Sequence, residues 1–171
     1  MIMNLMCSQS LIIINGECGD MGVVQFIKIL LVEDNNADAR LFEEAFKESC
    51  FKNELYTVKD GCEAIEFLNQ ENIYSDAPRP DLILLDLDLP QISGLDVLKK
   101  VKNDAALKLI PVMILSASLS DKDMMYAYKY HANAFIIKPG DYPSLIRFSD
   151  SLGEFWSRWV RLPGEAEYNQ M

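Results

Sequence analysis

The chain has 171 residues, half of them hydrophobic, and a formal charge of −10 at pH 7. That length suits one domain with a proper core, and the acidic balance excludes a basic nucleic-acid surface. No apolar run approaches the ~18 residues of a membrane span, so neither nucleic acid nor membrane is an expected partner.

Residues 1–25 hold Gly16, Gly19, Gly22 and apolar residues without a sustained period, and are expected to be a flexible extension. The early run Leu11 to Ile14 has no Lys or Arg before it, so no export signal is expected and the protein should be cytoplasmic. The four cysteines (Cys7, Cys18, Cys50, Cys62) lack CxxC spacing and a histidine cluster. They read as reduced thiols.

From Phe26 to Val32 an apolar, β-branched run predicts a strand that ends in Glu33-Asp34. Asn35 or Asn36 can cap the following helix, with Asp38 in its first turn. That helix should reach about Cys50 and face the core with Leu41, Phe42, Ala45 and Phe46. Leu55–Val58 is a second strand, Asp60-Gly61 a turn, and Glu63–Leu68 a helix with Ala64, Ile65 and Leu68 inward. Asn69–Pro80 reads as a loop. Leu82–Leu85 has no polar residue, which fits a strand covered on both faces, and it ends in Asp86. Ser93-Gly94 opens a helix carrying Leu95, Leu98 and Val101. A fourth strand, Val112–Leu115, ends in Ser116, and a polar, aromatic helix spans Asp121–Tyr130. The fifth strand, Ala134–Ile137, ends in Lys138-Pro139. A long helix starts near Asp141 and Pro143 and runs to about Val160, where Pro163-Gly164 stops it. The expected division is an extension over 1–25, a domain over 26–162 and a short tail over 163–171.

Five strands alternating with five helices predict an α/β fold: a flavodoxin-like, doubly wound parallel sheet of order 2-1-3-4-5. That order sets the first and third strands side by side and crowds Glu33, Asp34 and Asp86 into one crevice. Three carboxylates at such range repel by on the order of 1–4 kcal/mol per contact. A hard divalent cation such as Mg²⁺ relieves the repulsion. A hydroxyl, Ser116, and an ammonium, Lys138, stand at neighbouring strand ends. Together they make a site for phosphoryl transfer with Asp86 as nucleophile.

The segments Ile29-Leu30-Leu31-Val32-Glu33-Asp34-Asn35, Asp60-Gly61-Cys62-Glu63-Ala64, Asp81 to Pro90 with Ser93-Gly94, Ser116-Ala117 and Lys138-Pro139 resemble the receiver domain of two-component response regulators. The resemblance covers about Phe26 to Val160. It implies that Asp86 is the phospho-acceptor, fed by a sensor histidine kinase. It makes Asp34 a direct Mg²⁺ ligand, Glu33 a ligand through water, and Asp88 a ligand through its backbone carbonyl. It also makes Ser116 the hydroxyl that contacts the phosphoryl group, Lys138 its pairing lysine, and Phe135 the aromatic switch residue. The Lys138–Pro139 bond is usually cis in that family. Ser116 stands where many members carry Thr, and Asp88 adds charge that bears on the lifetime of the phosphoryl group. His131-Ala132-Asn133 and the aromatic last helix resemble stand-alone receivers that serve phytochrome-type kinases. His131 itself reads as a structural end-of-helix residue.

The chain ends about ten residues after the last helix, so output is expected through a partner or a homodimer. The helices Asp121–Tyr130 and Pro143–Val160 carry more apolar surface than one stripe needs: Met124, Tyr126, Tyr128 and Tyr130 in the first, and in the second Ile146, Trp156 and Val160 beside a core stripe of Leu145, Phe148, Leu152, Phe155 and Trp159. The two are the expected association face. Gly153 within the last helix points to a neighbour packed closely against it. Two alternatives use the same residues. One is a small phosphatase forming an aspartyl-phosphate, with Asp86 as nucleophile and Asp88 as acid. The other is a receiver-like binding module that is never phosphorylated.

Overall fold

The computed structural model describes residues 26–162, so the expected extension and tail lie outside the described residues. Strands and helices alternate: β1 (Ile27–Val32), α1 (Asn36–Glu48), β2 (Asn53–Val58), α2 (Gly61–Asn69), β3 (Leu82–Asp86), α3 (Gly94–Asn103), β4 (Val112–Ser116), α4 (Asp121–Lys129), β5 (Ala134–Ile137) and α5 (Tyr142–Glu154). A 3₁₀ turn, Asn72–Tyr74, interrupts the loop before β3, and a π-helical segment, Phe155–Trp159, continues α5. The sheet is wholly parallel in the order β2-β1-β3-β4-β5, as expected. Among the described residues no helix is long and apolar enough to cross a membrane.

Alternate strand residues serve two cores. Leu30, Val32, Ile83 and Leu85 face α2, α3 and α4, where Phe67, Val97, Leu98 and Val101 are buried. Ile29, Leu31, Leu82 and Leu84 face α1 and α5, against Phe42, Phe46, Leu145 and Leu152. Each helix begins at a side-chain cap: Asn35 for α1, Asp60 for α2, Ser93 for α3, Ser120 for α4 and Asp141 for α5. Capping satisfies otherwise orphaned amides just beyond the strand ends, so the strand-to-helix loops are held at both ends.

Several expected side-chain placements change. Leu41 is 41% exposed, because the inward face of α1 runs through Ala39, Phe42, Ala45 and Phe46 and turns Leu41 sideways. In α2 Phe67 is buried and Ile65 only half-buried. Trp156, expected on the association face, is 8% exposed and packs with Ile27 and Leu162. The π-helical turn widens the helix and rotates Trp156 inward, while Phe155 and Trp159, expected on the core stripe, point out at 54% and 72% exposure. Gly153 has its close neighbour: a Cβ there would fall within the Phe51 ring. That ring meets Phe46 edge-on at 6.0 Å.

At the amino end of the sheet, Asn133 acts as a clamp. Its N–H donates to the Val112 carbonyl at 2.8 Å, and its Oδ1 accepts from the Val112 amide at 2.9 Å and from Lys102 Nζ at 3.2 Å. Lys102 also donates to the Ile110 carbonyl at 2.8 Å. The preceding His131 takes a left-handed φ of 66° that ends the α4 turn. The Lys138–Pro139 bond is trans, unlike the expected cis form.

Candidate functional site

The β1–β3 register pairs Val32 with Leu85, so the next residues, Glu33 and Asp86, emerge side by side. Both are buried, at 1% and 4% exposure. A buried carboxylate needs a partner, and here one ammonium serves both: Lys138 Nζ lies 2.7 Å from Glu33 Oε2 and 2.7 Å from Asp86 Oδ2. The remaining oxygen of each accepts a backbone amide, Asn35 to Glu33 at 3.3 Å and Asp88 to Asp86 at 3.2 Å. Gly94 holds the Asp86 turn closely, since a Cβ there would overlap the Asp86 carbonyl oxygen.

Asp34 is exposed at the rim. Carboxylate oxygens of Glu33, Asp34 and Asp86 lie within 4.8 Å of one another. Three carboxylates against one ammonium leave a surplus of negative charge. All-oxygen donors with one side open to water suit a hard divalent cation that keeps part of its hydration. Asp88 brings only its backbone to this group, and its carboxylate is exposed.

Burial raises the Glu33 carboxyl to about 7, against the lowering pull of the Lys138 ammonium. For Lys138, burial favours the neutral amine, but the hydrogen bonds to Asp86 and Glu33 outweigh it and raise its pKa. The ammonium is therefore retained at neutral pH.

Ser116 is buried at the end of β4. Its hydroxyl accepts the Ser118 amide at 3.1 Å, so its present partner is its own loop. Phe135 is half-buried in β5, and its amide donates to the Tyr128 hydroxyl at 3.3 Å. The fold thus gathers Glu33, Asp34, Asp86 and Lys138 tightly, with Ser116 and Phe135 on the flanking strands.

Sequence reasoning assigned Asp38 only a helix-dipole role. Its carboxylate stands 3.7 Å from Lys138 Nζ. Asp38 also lines a groove of about 400 Å³ with Leu41, Phe42, Lys138, Pro139 and Gly140. The available signal was its spacing, four residues after Asp34 on the first turn of α1.

A model of the response regulator receiver domain matches residues 29–148. The chain belongs to the response regulator receiver family. The receiver is 41% identical over 135 residues to response regulator Rcp1 of Synechocystis sp., a match covering 79% of this chain and 92% of Rcp1. Its fold is similar to the phosphorylated cyanobacterial phytochrome response regulator RcpA, with a TM-score of 0.76 and 44% identity over 82% of this chain and 100% of RcpA. It is also similar to the Mn²⁺-bound form of Rcp1, with a TM-score of 0.74 and 40% identity over 81% and 99% of the two chains.

Proposed function

We propose that this receiver takes a phosphoryl group onto Asp86 from the phosphohistidine of a sensor histidine kinase, in a Mg²⁺-dependent step, and works as a stand-alone regulator rather than an enzyme. The observation that carries this is the pairing of buried Asp86 with Lys138 at 2.7 Å beside the acidic group of Glu33 and Asp34. Likeness to a phosphorylated RcpA and a Mn²⁺-bound Rcp1 supports both the acceptor chemistry and the divalent cation. Likeness to a phytochrome response regulator supports a phytochrome-type kinase as donor. A cytoplasmic setting suits a receiver fed by an ATP-driven kinase.

In the transfer, a carboxylate oxygen of Asp86 forms a bond to phosphorus as the phosphorus–nitrogen bond to the donor imidazole breaks. The imidazole leaves with that electron pair and takes up a proton. Asp34, Glu33, the carboxylate of Asp86 and the Asp88 carbonyl would hold Mg²⁺, which supplies charge neutralisation at the transferring oxygens. Lys138 pairs with the phosphoryl oxygens in place of its present carboxylate partners, Glu33 and Asp86. The Ser116 hydroxyl turns from Ser118 to the phosphoryl group, and Phe135 moves into the space it leaves, carrying the change to β5 and α4.

Output through a second copy or a partner is supported by the exposed face of α4. There Met125 is 65% and Tyr128 50% exposed, and on β5 Ile137 is 45% exposed. At the end of α5, Phe155 and Trp159 extend the same excess. We take 26–162 as the receiver unit, with 1–25 and 163–171 as appendages not needed for transfer.

The test is incubation with phosphoramidate and Mg²⁺, read by intact mass. Wild type should gain one phosphate and Asp86→Asn none. Equal gain by both would remove Asp86 from the role.

A further inference from the structure

Lys138 faces three carboxylates, not two. Glu33 and Asp86 each stand at 2.7 Å, and Asp38 at 3.7 Å, on a separate element and on the solvent side. Glu33 and Asp86 belong to the acidic group suited to a divalent cation, and Asp38 does not. Ammonium and cation therefore draw on the same two carboxylates, and each positive charge raises the cost of the other.

We infer that Asp38 is a positioning residue: it draws Lys138 off the carboxylates of Glu33 and Asp86 when a divalent cation arrives, and so sets the metal affinity of the site. This rests on the metal reading given above. The geometry allows it. A shift of about 1 Å along a flexible lysine stem closes the Asp38 gap to the distance of a full charge-assisted hydrogen bond. The groove shared by Asp38, Lys138, Pro139 and Gly140 leaves room for that shift, and nothing lies within 4 Å of a Cβ built on Gly140. Asp38 needs no rebuilding of α1, because its place in the first turn is fixed by the Asn35 cap. The ammonium keeps a carboxylate partner in both states, so its charge is never left unpaired.

Calorimetric titration of the full chain with Mg²⁺ tests this without any phosphoryl transfer. Asp38→Asn should weaken Mg²⁺ binding about fivefold, the scale of one ion pair near a protein surface. In a Lys138→Met background the same change should alter affinity by no more than about twofold, since the coupling partner is gone. Glu44→Gln, an exposed carboxylate further along α1, controls for net charge and should also stay within about twofold. Lys138→Gln replaces Lys138→Met if the latter does not fold. An equal loss in both backgrounds would make Asp38 a general charge and overturn the inference, as would an unchanged affinity in Asp38→Asn. A wild type that takes up no Mg²⁺ would remove the metal centre itself, a separate failure that phosphate uptake by Asp86 would distinguish.

Discussion

The backbone amide of Lys138 donates to the carbonyl of Ser116 at 2.8 Å. The residues bearing the hydroxyl and the ammonium are thus tied by main chain before either side chain reaches the site. At the far end of the same two strands, Asn133 binds both the amide and the carbonyl of Val112. The β4–β5 register is pinned at both ends, and a slip at one end would misplace Lys138 at the other.

Asn133→Ala should therefore cost about 1–2 kcal/mol, because it leaves the Val112 amide without its acceptor and Lys102 with one oxygen fewer. Lys102→Met should cost a similar amount, and the double variant less than the sum. Urea unfolding measures all three. Strict additivity would mean that the two side chains do not act as one clamp.

Glu33 makes the metal-free protein sensitive to pH. Its carboxyl rises from the usual 4.5 to about 7 on folding, so the native state holds a proton that the unfolded chain releases. The stability this contributes is complete below about 4.5 and is lost as pH rises through about 7. Between about pH 5 and about pH 8 the melting temperature should fall more in wild type than in Glu33→Gln. Mg²⁺ displaces the same proton, so its affinity should climb over that window in wild type and less in the variant.

Gly153→Ala reverses an ordinary expectation. In a free helix the change would stabilise by about 1 kcal/mol, but here the new methyl meets the Phe51 ring. It should destabilise by about 1–3 kcal/mol. In a Phe51→Ala background it should be neutral or stabilising, which equilibrium unfolding of the four proteins would show.

The two tryptophans should separate folding from association. Trp156 is buried, and its replacement by Ala should cost about 3–5 kcal/mol. Trp159 is 72% exposed, so Trp159→Ala should leave the fold intact and weaken self-association, as should Met125→Asp on α4. Light scattering with and without phosphorylation reads the second effect. A wild type monomeric at high concentration in both states would exclude the homodimer and leave that face to a different partner.

Much of this was legible because acids, hydroxyl and lysine each stand directly after an apolar run. A run that ends in a charge reports both the strand and the side of the sheet at which it opens. Contacts between distant segments left no such trace. Nothing in the pattern around Trp156 marks the widened turn that buries it, and Leu41 has the spacing of a core residue but lies beside the face that packs. The clamp of Lys102 and Asn133 joins residues 31 apart through neutral oxygens, so no charge pattern announces it. Asp38 looked like a helix-dipole acid because its partner arrives from the last strand.

Tyr128 has a consequence for colloidal behaviour. β5 is an edge of the sheet, and an edge with vacant amides is a template for strands of other chains. The Tyr128 hydroxyl occupies the Phe135 amide on that edge and lays an aromatic ring across the approach. A Tyr128→Phe molecule would keep its fold and its acidic site yet offer a bare donor to its neighbours. What shortens its shelf life would be growth from sheet to sheet in concentrated solution.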